Sequence, residues 1–410
     1  MHLLNKKPTD TDSSLPLSGE DIICFAGEDW WYHNPHSNLH IMKVLSKSNR
    51  VLFVNSIGVQ MPDFRKDPIF AWKRITGKLK SLLRYFRKGA RNIYVLTPIA
   101  IPLIDGLEPT LQVMNKFLLV LQLKILLTLL HFEHPVLWVC TPTFKDIALA
   151  LKKEAKCLIY YCVDNISYYS GSINRFVLDL EIDLLKNADL ALFVNHRLIA
   201  EKCKYSERIR HIGHGVDYEH FAKAQNSDLP VPDDMKRIPR PIVAYLGALR
   251  GLDFALVQFL AEQNPDVSFV FIGEVLEEMS PIASLRNIYF LGQQSYEVLP
   301  DYMKPVSCFG IFYQRNDIFN NYRNPKKLLE CLATGKPVVS VPILEIEYFK
   351  DLVLVAQDYE HFHHLIREAI QNDSPSVKER RIGYAKEHTW DEIGREVGEQ
   401  IAQLIRWNVQ

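Results

Sequence analysis

Short apolar segments recur through the first half of this 410-residue chain, and they constrain its fold more than any other feature. Each one is almost continuously apolar and ends in a polar or turn residue, as is typical of parallel strands covered on both faces by helices. The segments are DIICFAG (21–27), RVLFVNS (50–56), NIYVLTP (92–98), PVLWVCTP (135–142), CLIYYCVD (157–164) and LALFVN (190–195). They predict an α/β domain with a doubly wound parallel sheet.

The same pattern restarts after a polar, proline-rich and aperiodic stretch at 222–240. The segments there are PIVAYLG (241–247), VSFVFIG (267–273), NIYFLG (287–292), CFGIFY (308–313) and PVVSVP (337–342). We therefore predict a domain over 1–221, a linker over 222–240, a second domain over 241–385 and a separate amphipathic helix over 386–410. Ligands of such sheets bind at the carboxyl ends of the strands, so we expect an active-site cleft there.

Composition narrows the class of protein. The 48 basic and 48 acidic residues cancel, so overall charge does not favour nucleic-acid binding. The seven cysteines are scattered without CxxC spacing, and residues 1–20 lack an apolar signal core, which predicts a cytoplasmic protein. The apolar run at 117–130 is shorter than the roughly 20 residues of a membrane span, so we expect a buried helix.

The stretch NPKKLLECLATGKPVVSVP (324–342) is the best candidate for a binding site. Pro325 suits the first position of a helix, and the free N–H groups there attract an anion. Lys326 and Lys327 oppose the helix dipole unless an anion such as a diphosphate compensates them. Glu330 lies on the same helix face as Lys327 and could accept hydrogen bonds from a ribose diol. The alternative is a solvated lysine–glutamate pair.

Glycines end several strands of the second half. Gly247 and Gly273 could allow a ligand to approach the backbone closely, or they could belong to ordinary strand-to-helix turns. Arg250, three residues after Gly247, is a candidate phosphate contact, because arginine binds phosphate through two parallel hydrogen bonds. A surface arginine is the alternative.

Two loops of the first half carry candidate acceptor-binding residues. Asp164 and Asn165 follow a buried strand, so Asp164 could act as a general base toward an acceptor hydroxyl or could cap the next helix. The loop after the first strand holds Glu28, Asp29 and His33 among tryptophans that could hold a sugar. We expect no metal, because no cluster has ligand spacing.

Residues 65–91 hold ten basic residues and one acid, interleaved with large apolar residues. A basic amphipathic segment in a neutral protein favours contact with an anionic membrane surface. A solvated helix face is the alternative.

The 324–342 stretch resembles the SPxKxxEyxAxGkPVvs segment of bacterial glycosyltransferases of the family 4 type. YYCVDN, HIGHGVDYEHF and NIYFLGQQSYEVLPDYM follow the same family's order and spacing. The similarity extends from about residue 20 to the final helix, and it is strongest to enzymes of surface polysaccharide synthesis such as teichuronic acid. It implies a GT-B fold, with an N-terminal acceptor-binding and a C-terminal nucleotide-sugar-binding Rossmann-like domain, and a final helix that crosses back to the first.

By this resemblance Lys327 contacts the diphosphate, Glu330 the ribose, and Gly247 lies beneath the nucleotide. Tyr322 stands where the family has the earlier of two glutamates, and the family's Gly-Arg plus lysine pair is reduced to Arg250. The candidate catalytic residues are Asp164 and Lys327. The candidate donor-binding residues are Gly247, Arg250, Gly273, Tyr313, Asn324, Pro325, Lys326, Lys327, Leu328 and Glu330. The candidate acceptor-side residues are Glu28, Asp29, His33, Asp164 and Asn165.

The expected function is a hexosyltransferase-like reaction from a nucleotide-diphospho sugar to a glycan or lipid-linked acceptor, without a metal or cofactor. An epimerase of the same fold would instead turn over the donor without an acceptor. A non-catalytic homologue within a glycan assembly complex is the third possibility, and Tyr322 favours it.

Overall fold

The structure is a computed structural model that describes residues 15–31, 36–57, 84–101, 108–168, 173–276 and 278–409, together with Thr76 and Lys80. The chain forms two compact units. The first comprises Met1–Val194, Ile199–Ile212 and Ile393–Gln410, and the second comprises Asn195–Leu198 and Gly213–Glu392. The main division therefore falls after Ile212, and not within the predicted linker.

Among the described residues, the sheet of the first unit has eight strands in the order β3-β4-β2-β1-β5-β6-β7-β8. Its strands are β1 (Asp21–Phe25), β2 (Arg50–Val54), β3 (Phe86–Ala90), β4 (Ile93–Leu96), β5 (Val136–Val139), β6 (Cys157–Cys162), β7 (Leu190–Phe193) and β8 (Ile209–His211). Neighbouring strands are parallel, except that the edge strand β3 runs antiparallel to β4. The six apolar segments contain the parallel strands predicted for them, and β1, β2, β5, β6 and β7 are fully buried.

The α-helices whose bounds lie within the described residues are, in chain order, α1 (Ser37–Leu45), α2 (Glu108–Leu130), α3 (Lys145–Leu151), α4 (Arg175–Asn187), α5 (His196–Lys202), α6 (Tyr218–Phe221), α7 (Asp233–Lys236), α8 (Phe254–Gln263), α9 (Ser280–Ala283), α10 (Leu299–Met303), α11 (Lys326–Ala333), α12 (Tyr359–Gln371), α13 (Pro375–Glu387) and α14 (Trp390–Val409). Most of α14, from Ile393 onward, belongs to the first unit.

Helix α2 is anchored to the sheet of the first unit by a buried ion pair. Arg50 of β2 donates to both carboxylate oxygens of Asp21 on β1, at 2.7 and 2.9 Å. The same guanidinium donates to the carbonyls of Leu130 and His131 at the end of the helix, at 3.0 and 2.8 Å. Arg50 and Asp21 would each be costly to bury without a partner, and these hydrogen bonds compensate that cost.

The prediction that residues 117–130 form a buried helix is wrong for one of its faces. Leu119, Leu123 and Leu130 of α2 are buried, but Phe117 and Ile125 are 72% and 52% exposed. By length and composition Thr110–Leu130 could cross a membrane, and 28% of its most apolar window is buried. Composition could not distinguish the buried face of α2 from its exposed face, because both faces carry large apolar side chains.

The second unit contains a six-stranded parallel sheet in the order β11-β10-β9-β12-β13-β14. Its strands are β9 (Ile242–Leu246), β10 (Ser268–Ile272), β11 (Ile288–Gly292), β12 (Cys308–Ile311), β13 (Val338–Ser340) and β14 (Leu354–Val355). The predicted linker is part of this unit, because Ala224, Met235 and Ile238 pack in its hydrophobic core. The polar composition of 222–240 concealed these three core positions.

The carboxyl ends of parallel strands share one edge of the sheet. The loops that follow β9, β10 and β12 therefore meet at one edge, and the last of them leads into α11. This is the edge at which α/β sheets bind ligands.

Candidate functional site

Helix α11 begins with two lysines after an N-cap proline. Pro325 is the residue before the first helical turn, one position earlier than the sequence predicted, and its carbonyl accepts from Leu328 N–H at 2.8 Å. The N-cap residue is a proline, whose side chain cannot cap the helix, and Lys326 and Lys327 are the first two helical residues. The dipole and both lysines therefore favour a negative ligand at this position.

Glu330 is a buried carboxylate and not the solvated partner of a surface pair. Its side chain is 4% exposed, and its two oxygens lie 3.0 Å from Lys327 Nζ and 3.9 Å from Lys326 Nζ. Within the described residues, the contact of Oε2 is this ion pair with Lys327, and no hydrogen bond to it is formed. A ligand hydroxyl would add a hydrogen bond to this buried oxygen.

The glycines at the sheet edge allow loops to approach each other. A Cβ on Gly273 would lie 1.7 Å from the carbonyl oxygen of Gly247, so only glycine fits there. Gly247 itself has φ +137°, a conformation that other residues rarely adopt. Gly273 therefore packs against the backbone of Gly247, and this packing explains the need for glycine without a ligand.

A small cavity lies beside Lys327. Its lining includes Tyr245, Tyr313, Pro325 and Leu328, so the structure brings together four of the predicted donor-site residues with one tyrosine that the sequence did not indicate. Leu328 is 1% exposed and also belongs to the hydrophobic core. The rings of Tyr245 and Tyr313 meet edge to face, with centroids 6.2 Å apart.

The loop before α11 is tied to the loop after β9. Asn320 is fully buried, and its Nδ2 donates to the carbonyls of Gly251 and Gln314, both at 2.9 Å. Arg323 Nη2 donates to the carbonyl of Arg250 at 3.3 Å. Sequence reasoning missed Asn320 and Arg323, because nothing in their local spacing indicates a cross-loop partner.

Tyr322 is buried, and the guanidinium of Arg197 lies 4.8 Å from its ring centroid. Both residues belong to the second unit. The position at which the family has a glutamate therefore carries a neutral aromatic ring in contact with a cation. Asn324, a predicted donor-site residue, immediately precedes Pro325 and interacts with other residues of the chain.

In the first unit, Asp164 and Asn165 lie immediately beyond β6. The Asp164 carbonyl accepts from Ile166 N–H at 2.9 Å, and Asn165 Oδ1 accepts from Ser167 Oγ at 2.7 Å. A 3-10 helix follows at Ile166–Tyr168, and the next α-helix, α4, is capped by Asn174. Asp164 is half-buried, and its role as a base stays a prediction.

The loop after β1 uses its acidic residues for local bonds. Glu28 Oε1 accepts from Asn38 Nδ2 at 3.2 Å, and Asp29 Oδ1 accepts from the backbone N–H of Trp31 at 2.9 Å. These contacts position the loop, and they leave Asp29 buried. His33 lies outside the described residues.

A curated relative matches about two thirds of the chain, and solved structures superpose on nearly all of it. No family model matches it. A putative teichuronic acid biosynthesis glycosyltransferase, TuaH of Bacillus subtilis strain 168, is 24% identical over 288 residues, which are 65% of this chain and 71% of that protein. Sucrose-phosphate synthase from Thermosynechococcus elongatus superposes with a TM-score of 0.66 at 13% identity, over 95% of this chain and 100% of the other. HepE from Anabaena, solved with UDP-glucose, superposes with a TM-score of 0.64 at 14% identity, over 93% and 99%.

The chain has the GT-B fold. The predicted resemblance to bacterial GT-B glycosyltransferases is confirmed by these matches. At 13% and 14% identity the solved GT-B structures establish the fold alone. They assign no role to individual side chains of this chain.

Proposed function

We propose that this GT-B chain transfers a sugar from a nucleotide-diphospho sugar to a glycan or lipid-linked acceptor in cell-surface polysaccharide synthesis. The observation that carries the proposal is the buried Glu330 carboxylate, whose Oε2 is ion-paired with Lys327 but receives no hydrogen bond from the described residues, at the amino end of α11. One carboxylate that needs a hydroxyl and one end that needs an anion match the ribose and diphosphate of a nucleotide. The name of the relative TuaH supports both glycosyl transfer and the polysaccharide role.

In the proposed reaction, positively charged groups lie where negative charge develops on the leaving group. When the bond between the anomeric carbon and the diphosphate oxygen breaks, negative charge accumulates on the leaving nucleoside diphosphate, which Lys327 and the amino end of α11 would stabilise. The acceptor oxygen forms the new bond to the anomeric carbon and gives its proton to a general base, for which Asp164 is the candidate from the sequence. A fixed cation and a helix end can carry the leaving-group charge, so the proposal requires no metal.

Nucleotide release with and without an acceptor tests this function against its alternatives. Purified protein is incubated with a panel of nucleotide sugars, with or without membrane lipid extract, while nucleoside diphosphate release and sugar identity are followed. Release only with the extract supports transfer. Conversion of the donor sugar without an acceptor would indicate an epimerase, and nucleotide binding without turnover would indicate a non-catalytic partner, the possibility that Tyr322 favours.

We also propose that the first unit binds the anionic inner surface of the cell membrane. Most of the predicted basic segment lies outside the described residues, but its end forms strand β3, with Arg87 and Lys88 exposed. Helix α2 adds an exposed apolar row at four-residue spacing. The row comprises Val113, Phe117, Leu121, Ile125 and Leu129. The sequence holds two lysines and no acid between Glu108 and Glu133, so an anionic bilayer suits this row better than an acidic protein partner.

Vesicle flotation tests the membrane contact. Wild-type protein should float with phosphatidylglycerol vesicles and not with phosphatidylcholine vesicles, and F117E/L121E should reduce flotation at least fivefold. Y348E, which changes an exposed apolar residue of the second unit, is the matched control. Equal flotation of F117E/L121E and wild type would refute the role of α2. Conversion of a wild-type dimer to a monomer by F117E/L121E would show that a second copy occupies the row instead.

A further inference from the structure

A cluster of aromatic rings and cations occupies the donor-site edge of the second unit. The guanidinium of Arg323 lies 4.5 Å from the ring centroid of Tyr313 and 5.0 Å from that of Phe319. The guanidinium of Arg250 lies 5.7 Å from the same Phe319 ring. Two arginines from different loops thus share one aromatic platform, and stacking of this kind holds a guanidinium plane in a fixed orientation.

The cluster is rigidly held. Arg323 donates to the Arg250 carbonyl, and Asn320 bonds the same two loops three residues earlier. The buried hydroxyl of Tyr245 donates to the Ala248 carbonyl at 3.1 Å. Burial raises the pKa of Tyr245, and the nearby charge of Arg323 opposes that rise. The guanidinium of half-buried Arg323 thus lies against Tyr313, the ring that meets Tyr245 edge to face.

Tyr313 connects this cluster to Lys327. Its ring carries Arg323 and also lines the cavity beside Lys327, so the two cations lie around the same tyrosine. With Glu330 next to Lys327, a nucleotide whose ribose meets Glu330 would place its first phosphate near Lys327. Its second phosphate would then extend toward Arg323.

We propose that Arg323 is a phosphate-binding residue of the donor site, held by Tyr313 and Phe319, and that it contacts the distal phosphate of a nucleoside diphosphate. The proposal rests on the proposed function of this site. It also accounts for the charge left by the missing lysine of the family's Gly-Arg plus lysine pair, because Arg323 supplies the second cation from the neighbouring loop. A planar guanidinium can bind two phosphate oxygens at once, which a lysine cannot reproduce.

Calorimetric titration with nucleoside monophosphates and diphosphates tests the assignment. UDP, GDP, UMP and GMP are the probes, since the base is unknown. R323Q should weaken diphosphate binding about 10- to 100-fold, the range of one charge-assisted contact, while monophosphate binding changes less than about threefold. R323K should recover only part of the loss. R315Q is the matched control, because Arg315 lies in the same loop but donates to the Ala356 carbonyl.

Each outcome separates this assignment from the function on which it rests. Wild-type protein that binds no nucleotide would overturn the proposed function. Equal diphosphate affinity of R323Q and wild-type protein would overturn the role of Arg323 but not the proposed function. Equal loss of monophosphate and diphosphate binding in R323Q, with a lower melting temperature, would show that Arg323 only supports the loop.

Discussion

Replacing Lys327 with alanine tests the central charge of the candidate donor site. The substitution removes the ammonium 3.0 Å from Glu330 Oε2 and the cation at the amino end of α11. A hydrogen bond to a charged group contributes about 1.5 to 3 kcal/mol. Because the Lys327 side chain is 36% exposed, solvent screens part of its interaction, and the lower end of that range applies. At about 1.4 kcal/mol per tenfold, K327A should bind nucleoside diphosphate roughly tenfold more weakly.

The loss should not be enlarged by an abandoned buried charge. Lys326 Nζ lies 3.9 Å from the other oxygen of Glu330, so the carboxylate keeps one cation after the substitution. Titration of wild type and K327A with UDP and GDP measures the difference. K236A is a matched control, since Lys236 also pairs with an acid at three-residue spacing, Asp233, but on an exposed surface. Wild-type affinity in K327A would refute the anion site.

Three further predictions concern the second unit. E330Q should abolish the preference for UDP over 2′,3′-dideoxy-UDP in the same titration, because the amide no longer offers a carboxylate to the ribose; a retained preference would contradict the ribose assignment. G273A should destabilise the protein by about 1 to 3 kcal/mol in urea unfolding, since its Cβ would meet the Gly247 carbonyl, whereas G213A, with open space around its Cβ, should unfold like wild type. Burial lowers the pKa of Lys336 to about 8 from 10.5, so the folded chain releases this proton before the unfolded chain does. Stability relative to K336M should therefore rise between pH 8 and 10.5, and a flat difference would refute this linkage.

The fold was largely predictable from the sequence because buried parallel strands leave a local signal. Each of the eleven apolar segments contains a strand. In each sheet these strands form one uninterrupted run of hydrogen-bonded neighbours. Strands β3, β8 and β14 were not predicted. Strand β3 lies at a sheet edge with Arg87 and Lys88 exposed, so its composition is typical of a solvated or amphipathic segment. Edge strands lose the apolar signal because one side has no neighbour.

The candidate site was predictable only where its chemistry lies within one turn of helix. Lys327 and Glu330 share a helix face by spacing alone, and the structure adds that Glu330 is buried. The contacts of Asn320 with Gly251 cross about 70 residues of chain, and no local pattern reports such a partner. Gly273 was interpretable either as a ligand contact or as a packing residue, and packing is favoured because a Cβ there would lie 1.7 Å from the Gly247 carbonyl oxygen.

Tyr322 and Arg323 illustrate why counting the replaced family residues one by one underestimates the positive charge of this site. Tyr322 removes a family carboxylate, yet a carboxylate there would have stood beside Arg197 and next to Arg323 in sequence. With a neutral ring at this position, the local charge is more positive than the family pattern would give. Loss of the glutamate and loss of the lysine after Arg250 therefore act in opposite directions on the charge offered to a diphosphate. Because an anion responds to the summed field and not to sequence positions, the binding function can persist while two of its family residues are replaced.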